Sequence, residues 1–403
     1  MTQRLPLVFI LITLCLDAMG IGLILPVMPD LIQEVDGGSL ADAALWGGIL
    51  TTAFAVMQFG LSPLIGSLSD RFGRRPVLLI SLLFMALDYL VMAVAGSIWL
   101  LLAGRIVGGI TASTPSTANA FIADISTPEE KAARFGLAGA AFGVGFVLGP
   151  MVGGALAEFG TRAPFFAAAA LSAANLVFGY FILPETVTDR IRRPFSWARA
   201  NPLGAFASVS ALPGAFRLVL VFFFYQVAFI VYPAIWAYFG QARFGWGPGM
   251  IGLSLASFGV AIAIVQGALI RHVLKFLGER GTVTWGLGFN FCAFLAMALV
   301  TSGPLALILT PLTALGAVVT PALQGIMSRT VPDDAQGELQ GVLTSAGALA
   351  MIISPLVMTS VFSAFTRESA PLFMPGAPFV VSMALMVVCG AIFLGPRKVP
   401  RPS

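Results

Sequence analysis

The sequence is short of charge. Only 10% of its 403 residues are Asp, Glu, Lys or Arg, and 58% are apolar. A soluble domain carries about 25% charged residues, so this chain cannot cover a surface that faces water, and lipid is its solvent. Histidine is nearly missing: the single one, His272, lies in a basic loop, which excludes a histidine metal site. Three cysteines, Cys15, Cys292 and Cys389, fall in apolar runs without metal-ligand spacing and read as small core residues. With no acidic cluster and no nucleophile–base pair in the apolar runs, a membrane enzyme is disfavoured, and no cofactor or metal is expected. The formal charge of +4 does not point to nucleic acid, because the basic residues are scattered through short loops and form no stripe. The first apolar run continues to Leu25 without an Ala-x-Ala site, so a cleaved leader fits poorly.

Long apolar runs are what the chain has in abundance. A helix needs about 20 residues to cross roughly 30 Å of hydrocarbon. Twelve runs qualify: 6–26, 45–66, 76–96, 98–120, 131–156, 163–183, 214–239, 249–271, 281–301, 304–327, 339–363 and 378–396. Of 22 Lys and Arg residues, 18 fall on one side of this zigzag; Arg162, Arg243 and Arg367 fall on the other, and Arg105 lies inside a span. That asymmetry predicts cytoplasmic termini, and an even number of spans requires both termini on one side. The longest connection, 184–213, carries Arg190, Arg192, Arg193, Phe195, Trp197 and Arg199. It reads as a cytoplasmic linker between an N-terminal half, 1–183, and a C-terminal half, 214–403. The loop Gly66–Arg75 after the second span has a degenerate basic counterpart, Arg271–Arg280, after the eighth. Two related halves with a site between them at the midplane is a recurrent transporter design. A channel would need pore-lining polar rings, which the sequence does not offer.

Within the spans stand three ionisable residues: Asp17, Asp88 and Arg105. A charge near the bilayer centre costs about 2.5–3.5 kcal/mol even on lenient scales. At 1.5 Å per residue Asp17 and Asp88 lie roughly 18 Å from the cytoplasmic ends of their helices, and Arg105 roughly 20 Å from that face. All three therefore share one layer. A buried ion pair explains Arg105 with one acid and leaves the second uncompensated, a state that favours a bound proton. Asp17 is the expected carrier, with Arg105 tuning it and Asp88 as a second acid or the partner of Arg105. Polar residues Gln58, Asn175, Tyr225, Gln226, Gln266, Asn290 and Gln324 also fall in spans. Each can be a helix–helix hydrogen bond; together Gln58, Gln226, Gln266, Asn290 and Gln324 suggest a cavity for an amphiphilic small molecule. Phe222, Phe223, Phe224, Tyr232 and Trp236 could wall it or simply pack. On the fifth span Gly139, Gly143, Gly145, Gly149, Pro150, Gly153 and Gly154 read either as tight static packing or as a hinge and seal. In the loop after the second span, Gly66 and Gly73 are expected to let the chain turn. Asp70, Arg71, Arg74 and Arg75, with Asp124 at the end of the fourth span, are expected to form a cytoplasmic gate of charge-assisted bonds.

The spacing Gly66-x-Leu-x-Asp70-Arg71-x-Gly73-Arg74-Arg75 resembles the signature loop of the major facilitator superfamily. Asp17–Pro26, Arg105 with Gly109, and Gly143-x-Gly145-x-x-x-Gly149-Pro150-x-x-Gly153-Gly154 resemble motifs of its proton-coupled drug antiporters. Asp88-Tyr89, Arg243-Phe-Gly-Trp246 and Pro321-Ala-Leu-Gln324-Gly325 are similar to the bacterial tetracycline/proton antiporters. The resemblance implies an all-α membrane protein of twelve helices in two pseudo-symmetric halves, placed in the bacterial inner membrane. It implies export of a drug or metabolite in exchange for protons, an uptake symporter being the nearest rival. A monomer in the bilayer is the working expectation. Asn290 stands where some of those antiporters have Asp, and Ile262 where they can have His. An amide cannot carry a proton, so the N-terminal acids are left as the proton carriers.

Overall fold

A computed structural model describes residues 4–112, 114–188, 215–332 and 335–395 of the chain. No strand occurs among them. Eleven helices are long and apolar enough to span a bilayer. One of them, Pro248–Leu299, is two spans in sequence: Gly278, at φ 64° and ψ 173°, breaks the helix within it. We label the spans α1 (Arg4–Ile24), α2 (Leu40–Phe72), α3 (Arg74–Val94), α4 (Ile98–Asp124), α5 (Pro128–Leu156), α6 (Ala163–Ile182), α7 (Phe216–Phe244), α8 (248–277), α9 (279–299), α10 (Gly303–Thr330), α11 (Gln336–Thr366) and α12 (Ala377–Leu394). The end of the molecule that carries Arg74 is called the basic face.

Helix starts are written locally. Ser39 and Asp42 form a capping box at α2, and Ser97 and Ser302 accept from Leu100 and Leu305 at α4 and α10. Pro128, Pro164, Pro248 and Pro378 sit in first turns, where a missing N–H costs nothing. Inside α4, Pro115 withdraws a donor, and the helix breaks around Ala112. Gln58 Nε2 from α2 donates to the freed Ala112 carbonyl at 3.0 Å. Such repair is what lets irregular backbone persist at membrane depth.

Three expectations are corrected. Gly66 does not turn the chain: α2 runs through it to Phe72, and Gly73 alone, at φ 111°, makes the turn. His272 lies on a helix rather than in a loop, because α8 continues past the apolar run to the break at Gly278. Cys292 faces outward on α9 rather than into the core, while Cys389 is buried and Cys15 half-buried. The basic linker falls almost wholly in 189–214, outside the described residues.

The fifth span has two working faces. Gly145, Gly149 and Gly153 lie against the backbone of α1 at Cys15, Met19 and Leu23, so close that a Cβ at any of them would collide with main-chain atoms. Gly154 and the Pro150 carbonyl look the other way, onto Pro248 and Gly252 of α8, while the Pro150 ring lies against Gly22 of α1. A helix carrying two such faces ties its own half together and seals it against the other half.

The halves meet near the face opposite the basic one. There α2 packs on α11 through Gly48 against Thr359, and Thr52 Oγ1 donates to Ile352 O at 3.0 Å. The short helix Met28–Asp36 reaches across as well, where Gln241 Nε2 of α7 donates to Asp30 Oδ1 at 2.8 Å. Nearer the basic face the glycines of these helices, Gly60, Gly139, Gly143 and Gly347, meet nothing within 4 Å.

Gly145→Val is expected to lower the melting temperature of the purified protein, at an overpacking cost of about 1–3 kcal/mol. Gly139→Val, with open space beside it, should leave melting unchanged; equal losses in both would show that the α1 contact is not tight. A second outcome concerns Asp30, outside the spans. Burial pushes its carboxyl above the usual carboxylate range, and the Gln241 hydrogen bond opposes this only in part. The contribution of Asp30 to folding stability is therefore fully present below the ordinary carboxylate value and is lost as pH rises through the raised one. Acidification from neutrality should raise thermal stability by a component absent from Asp30→Asn. Parallel pH profiles for the two proteins would refute this.

Candidate functional site

Asp88 and Arg105 come together. Asp88 projects from α3 toward Gly104 and Gly108 of α4, whose missing side chains make room for its carboxylate. Arg105 Nη2 bonds Asp88 Oδ2, and the guanidinium carbon lies 5.1 Å from the centre of the Phe54 ring. The pair is single-stranded: Asp88 Oδ1 and Arg105 Nε are buried without partners. A buried ion pair repays its desolvation only when its remaining polar atoms are satisfied, so this one contributes little to stability and keeps free hydrogen-bonding capacity.

Asp17 is 5% exposed on α1. Its helix presents Cys15, Met19 and Leu23 to α5, so Asp17 faces away from that contact. Among the described residues no cation lies within ion-pair distance of it. Between the two sites stands Tyr89, buried, whose hydroxyl fills the space left by Gly20 one turn beyond Asp17. Tyr89 follows Asp88 on α3, so the two adjacent side chains reach Gly20 of α1 and Gly104 and Gly108 of α4. The layer anticipated from spacing is thus a cluster of two acids and one cation around a phenol that spacing did not single out.

The polar residues of the spans divide. Asn175 is tied to Thr13 of α1, and Gln58 to the broken α4. Asn290 is fully buried in the other half, where its Nδ2 donates to Gly286 O and Gly316 O at 2.8 and 3.1 Å. Tyr225 donates to the same Gly316 carbonyl at 3.0 Å. Asn290 is in this conformation a tie between α9 and α10. Gln226 and Gln324 are half-buried and Gln266 is exposed, on a short π-helical stretch, Val265–Leu269. Tyr232 and Trp236 pack in a ring cluster with Phe258, Phe294 and Phe379 and belong to the core of the second half.

On the basic face one arginine does most of the joining. Arg74 bonds Asp70 at 2.6 Å, Asp124 at 3.1 Å and Ser69 Oγ at 2.6 Å, linking α2, α3 and α4. Arg75 instead donates to Tyr180 O at 2.7 Å, and Arg71 is exposed beside Phe72. Sequence reasoning did not place Glu185 here. Its carboxylate, arriving from the end of α6, accepts from the backbone N–H groups of Arg74 and Arg75 at 2.9 and 3.2 Å. An anion is favoured at a helix N-terminus, and Gly73 leaves the room it needs. Thr186 then donates to Asp124 at 3.0 Å. The signal was Pro184-Glu185-Thr186 at the close of the sixth span, but nothing in its spacing names its partner. The whole network lies within one half.

The sequence matches the Major Facilitator Superfamily over residues 10–355. The chain belongs to the Major Facilitator Superfamily. It is 42% identical over 384 residues to the class C tetracycline resistance protein of Escherichia coli, covering 95% of each chain. It is 31% identical to human major facilitator superfamily domain-containing protein 10, over 89% of this chain and 88% of that one. The crystal structure of that human protein, described as an organic anion transporter, matches at a TM-score of 0.70 with 27% identity, covering 97% and 99% of the two chains. A D-xylose–proton symporter shares the fold at a TM-score of 0.76 and 16% identity, covering 98% of each chain. The protein is therefore a multi-pass membrane member of a transporter superfamily, built as twelve helices in two halves.

Arg74→Lys keeps the charge but loses the planar fork that reaches three acceptors at once. In a double-mutant cycle of Arg74→Lys and Asp124→Asn, thermal unfolding should give a coupling of about 1–2 kcal/mol. Strictly additive losses would reduce the arginine to a surface charge.

Proposed function

We propose that this protein is a proton-coupled antiporter that exports an amphiphilic small molecule across the bacterial inner membrane, with tetracycline the leading candidate substrate. The observation that carries this reading is Asp17, an acid buried in a span with no cation paired to it among the described residues, on a helix that touches Tyr89 beside the acid that already holds Arg105. A lone carboxylate in low dielectric is driven to bind a proton. Asp17 takes a proton from outside and yields it inside, and Arg105 and Asp88 set how readily it does so. The likeness to tetracycline resistance proteins over nearly the full chain supports the direction of transport and the drug class.

In this proposal the basic face is cytoplasmic and both termini lie there, as the distribution of Lys and Arg indicates. The halves are 1–183 and 214–403, joined by a cytoplasmic linker at 184–213. Gln58, Gln226, Gln266, Asn290 and Gln324 are proposed to contact substrate during the cycle; Asn290 would have to release Gly316 to do so. Asp70, Arg71, Gly73, Arg74, Arg75 and Asp124 act as the cytoplasmic gate, with Glu185 added to them and Gly66 serving only as a helical residue near it. Gly145, Gly149, Pro150, Gly153 and Gly154 let α5 pivot between its two packed faces. A monomer suffices for all of this.

The relationship to a human organic anion transporter favours one other substrate reading. An amphiphilic anion could be drawn by Arg105, whose Nε has no partner. An uptake symporter is the remaining rival. Purified protein in liposomes, with tetracycline or an organic anion at equal concentration inside and out and an inwardly directed proton gradient, separates these readings. Gradient-driven movement of tetracycline, opposite to the protons, is expected. Asp17→Asn should lose pH-driven transport by at least about tenfold while still binding substrate and inserting normally. Normal gradient-driven export by Asp17→Asn would refute the coupling role, and movement in the same direction as the protons would make it a symporter.

A further inference from the structure

A second site lies on the lipid-facing side of the C-terminal half, away from everything described above. A cavity of about 290 Å³ opens between α9 and α12. Leu287 and Phe291 wall it from α9, Met386 and Phe393 from α12, and Gly288 and Gly390 leave the slot between them. A Cβ at either glycine would meet nothing within 4 Å, so the absence of side chains is what keeps the groove open. From Thr284 at its mouth to Phe291 at its depth the helical rise gives about 10 Å. The one hydroxyl there, Thr284 Oγ1, is satisfied by Arg280 O at 3.0 Å, so no polar group in the groove asks for water or for a polar ligand.

Charge stands at one end only. Arg280, one turn above Thr284, lies over the ring of Phe393 with its guanidinium carbon 5.7 Å from the ring centre. Its neighbours are already engaged: Glu279 pairs with Arg329 at 2.6 Å, and Arg217 is bound to the carbonyls of Ile392 and Gly395 at the end of α12. Among the described residues Arg280 forms no ion pair. The groove thus presents an apolar slot running along the helices toward the membrane interior and an exposed guanidinium at the level of the interface. In a bilayer the molecules that match are anionic lipids, whose phosphate is attracted to cationic side chains at the surface while the acyl chain follows the groove.

We infer that the α9–α12 groove binds one acyl chain of an anionic phospholipid, with Arg280 holding its phosphate. The inference rests on the chain spanning a membrane and is independent of what it transports. The test is native mass spectrometry of the purified full-length protein after incubation with dioleoylphosphatidylglycerol or dioleoylphosphatidylcholine. The wild type should retain one phosphatidylglycerol about fivefold more than phosphatidylcholine, the ratio that about 1 kcal/mol from a single cation gives. Arg280→Gln should equalise the two lipids without losing either. Gly390→Leu, and separately Gly288→Leu on the facing helix, should displace both lipids by filling the slot. A wild type without headgroup preference overturns the inference, as does retention that neither leucine alters. A dimer abolished by Gly390→Leu with lipid retention intact would give the groove to a second copy of the chain and overturn it equally.

Discussion

Helices in hydrocarbon gain nothing by hiding apolar side chains from one another, because lipid tails are as apolar as leucine. Their association depends on backbones coming close enough for dispersion contacts, and here that means α5. One face of it meets α1 through Gly145, Gly149 and Gly153; another meets α8 through Pro150 and Gly154. The first contact holds α1, and with it Asp17, in a fixed place within the N-terminal half. The second is part of the seam between halves. The position of the buried acid and the contact between the halves thus depend on the same helix, and largely on its glycines.

The charged layer follows the same economy of space. Gly104 and Gly108 admit Asp88 to α4, and Gly20 admits Tyr89 to α1. The resulting cluster is deliberately under-bonded. An ion pair made for stability would use both carboxylate oxygens and both edges of the guanidinium; here Asp88 Oδ1 and Arg105 Nε remain unpartnered. Burial without full pairing is costly in a lipid-facing protein, and it is the condition under which a group responds to an incoming proton or polar ligand. The basic face makes the contrast: there Arg74 is fully used, with Asp70, Ser69 and Asp124 each at bonding distance.

Much of this was legible in the sequence because a bilayer imposes one length scale. Helical rise against hydrocarbon thickness placed the spans, and the same rise put Asp17, Asp88 and Arg105 in one layer before any contact was known. What spacing could not supply was azimuth. Depth does not say which acid faces Arg105, and it does not say that Asn290 turns to Gly316 or that Cys292 faces outward. Capping across the tertiary structure was equally hidden: Glu185 ends one helix in the sequence and caps another in space. Helix ends were underestimated on the basic face because Asp70 and Arg71 look like a loop by composition, while their backbone continues the helix. Charged residues end the apolar run, and they do not end hydrogen bonding.

The two single-residue turns, Gly73 and Gly278, are related positions in the two halves, each joining an interface helix to the helix behind it. Neither leaves slack. A loop of several residues would absorb a displacement of α2; a lone glycine between Phe72 and Arg74 passes it on. The helix that touches α11 at Thr52 and the helix that carries Asp88 are therefore two arms of one hairpin joined by a single residue. On the proposed function, a shift at the seam has only one residue of connecting chain to cross before it reaches the helix of the carboxylate.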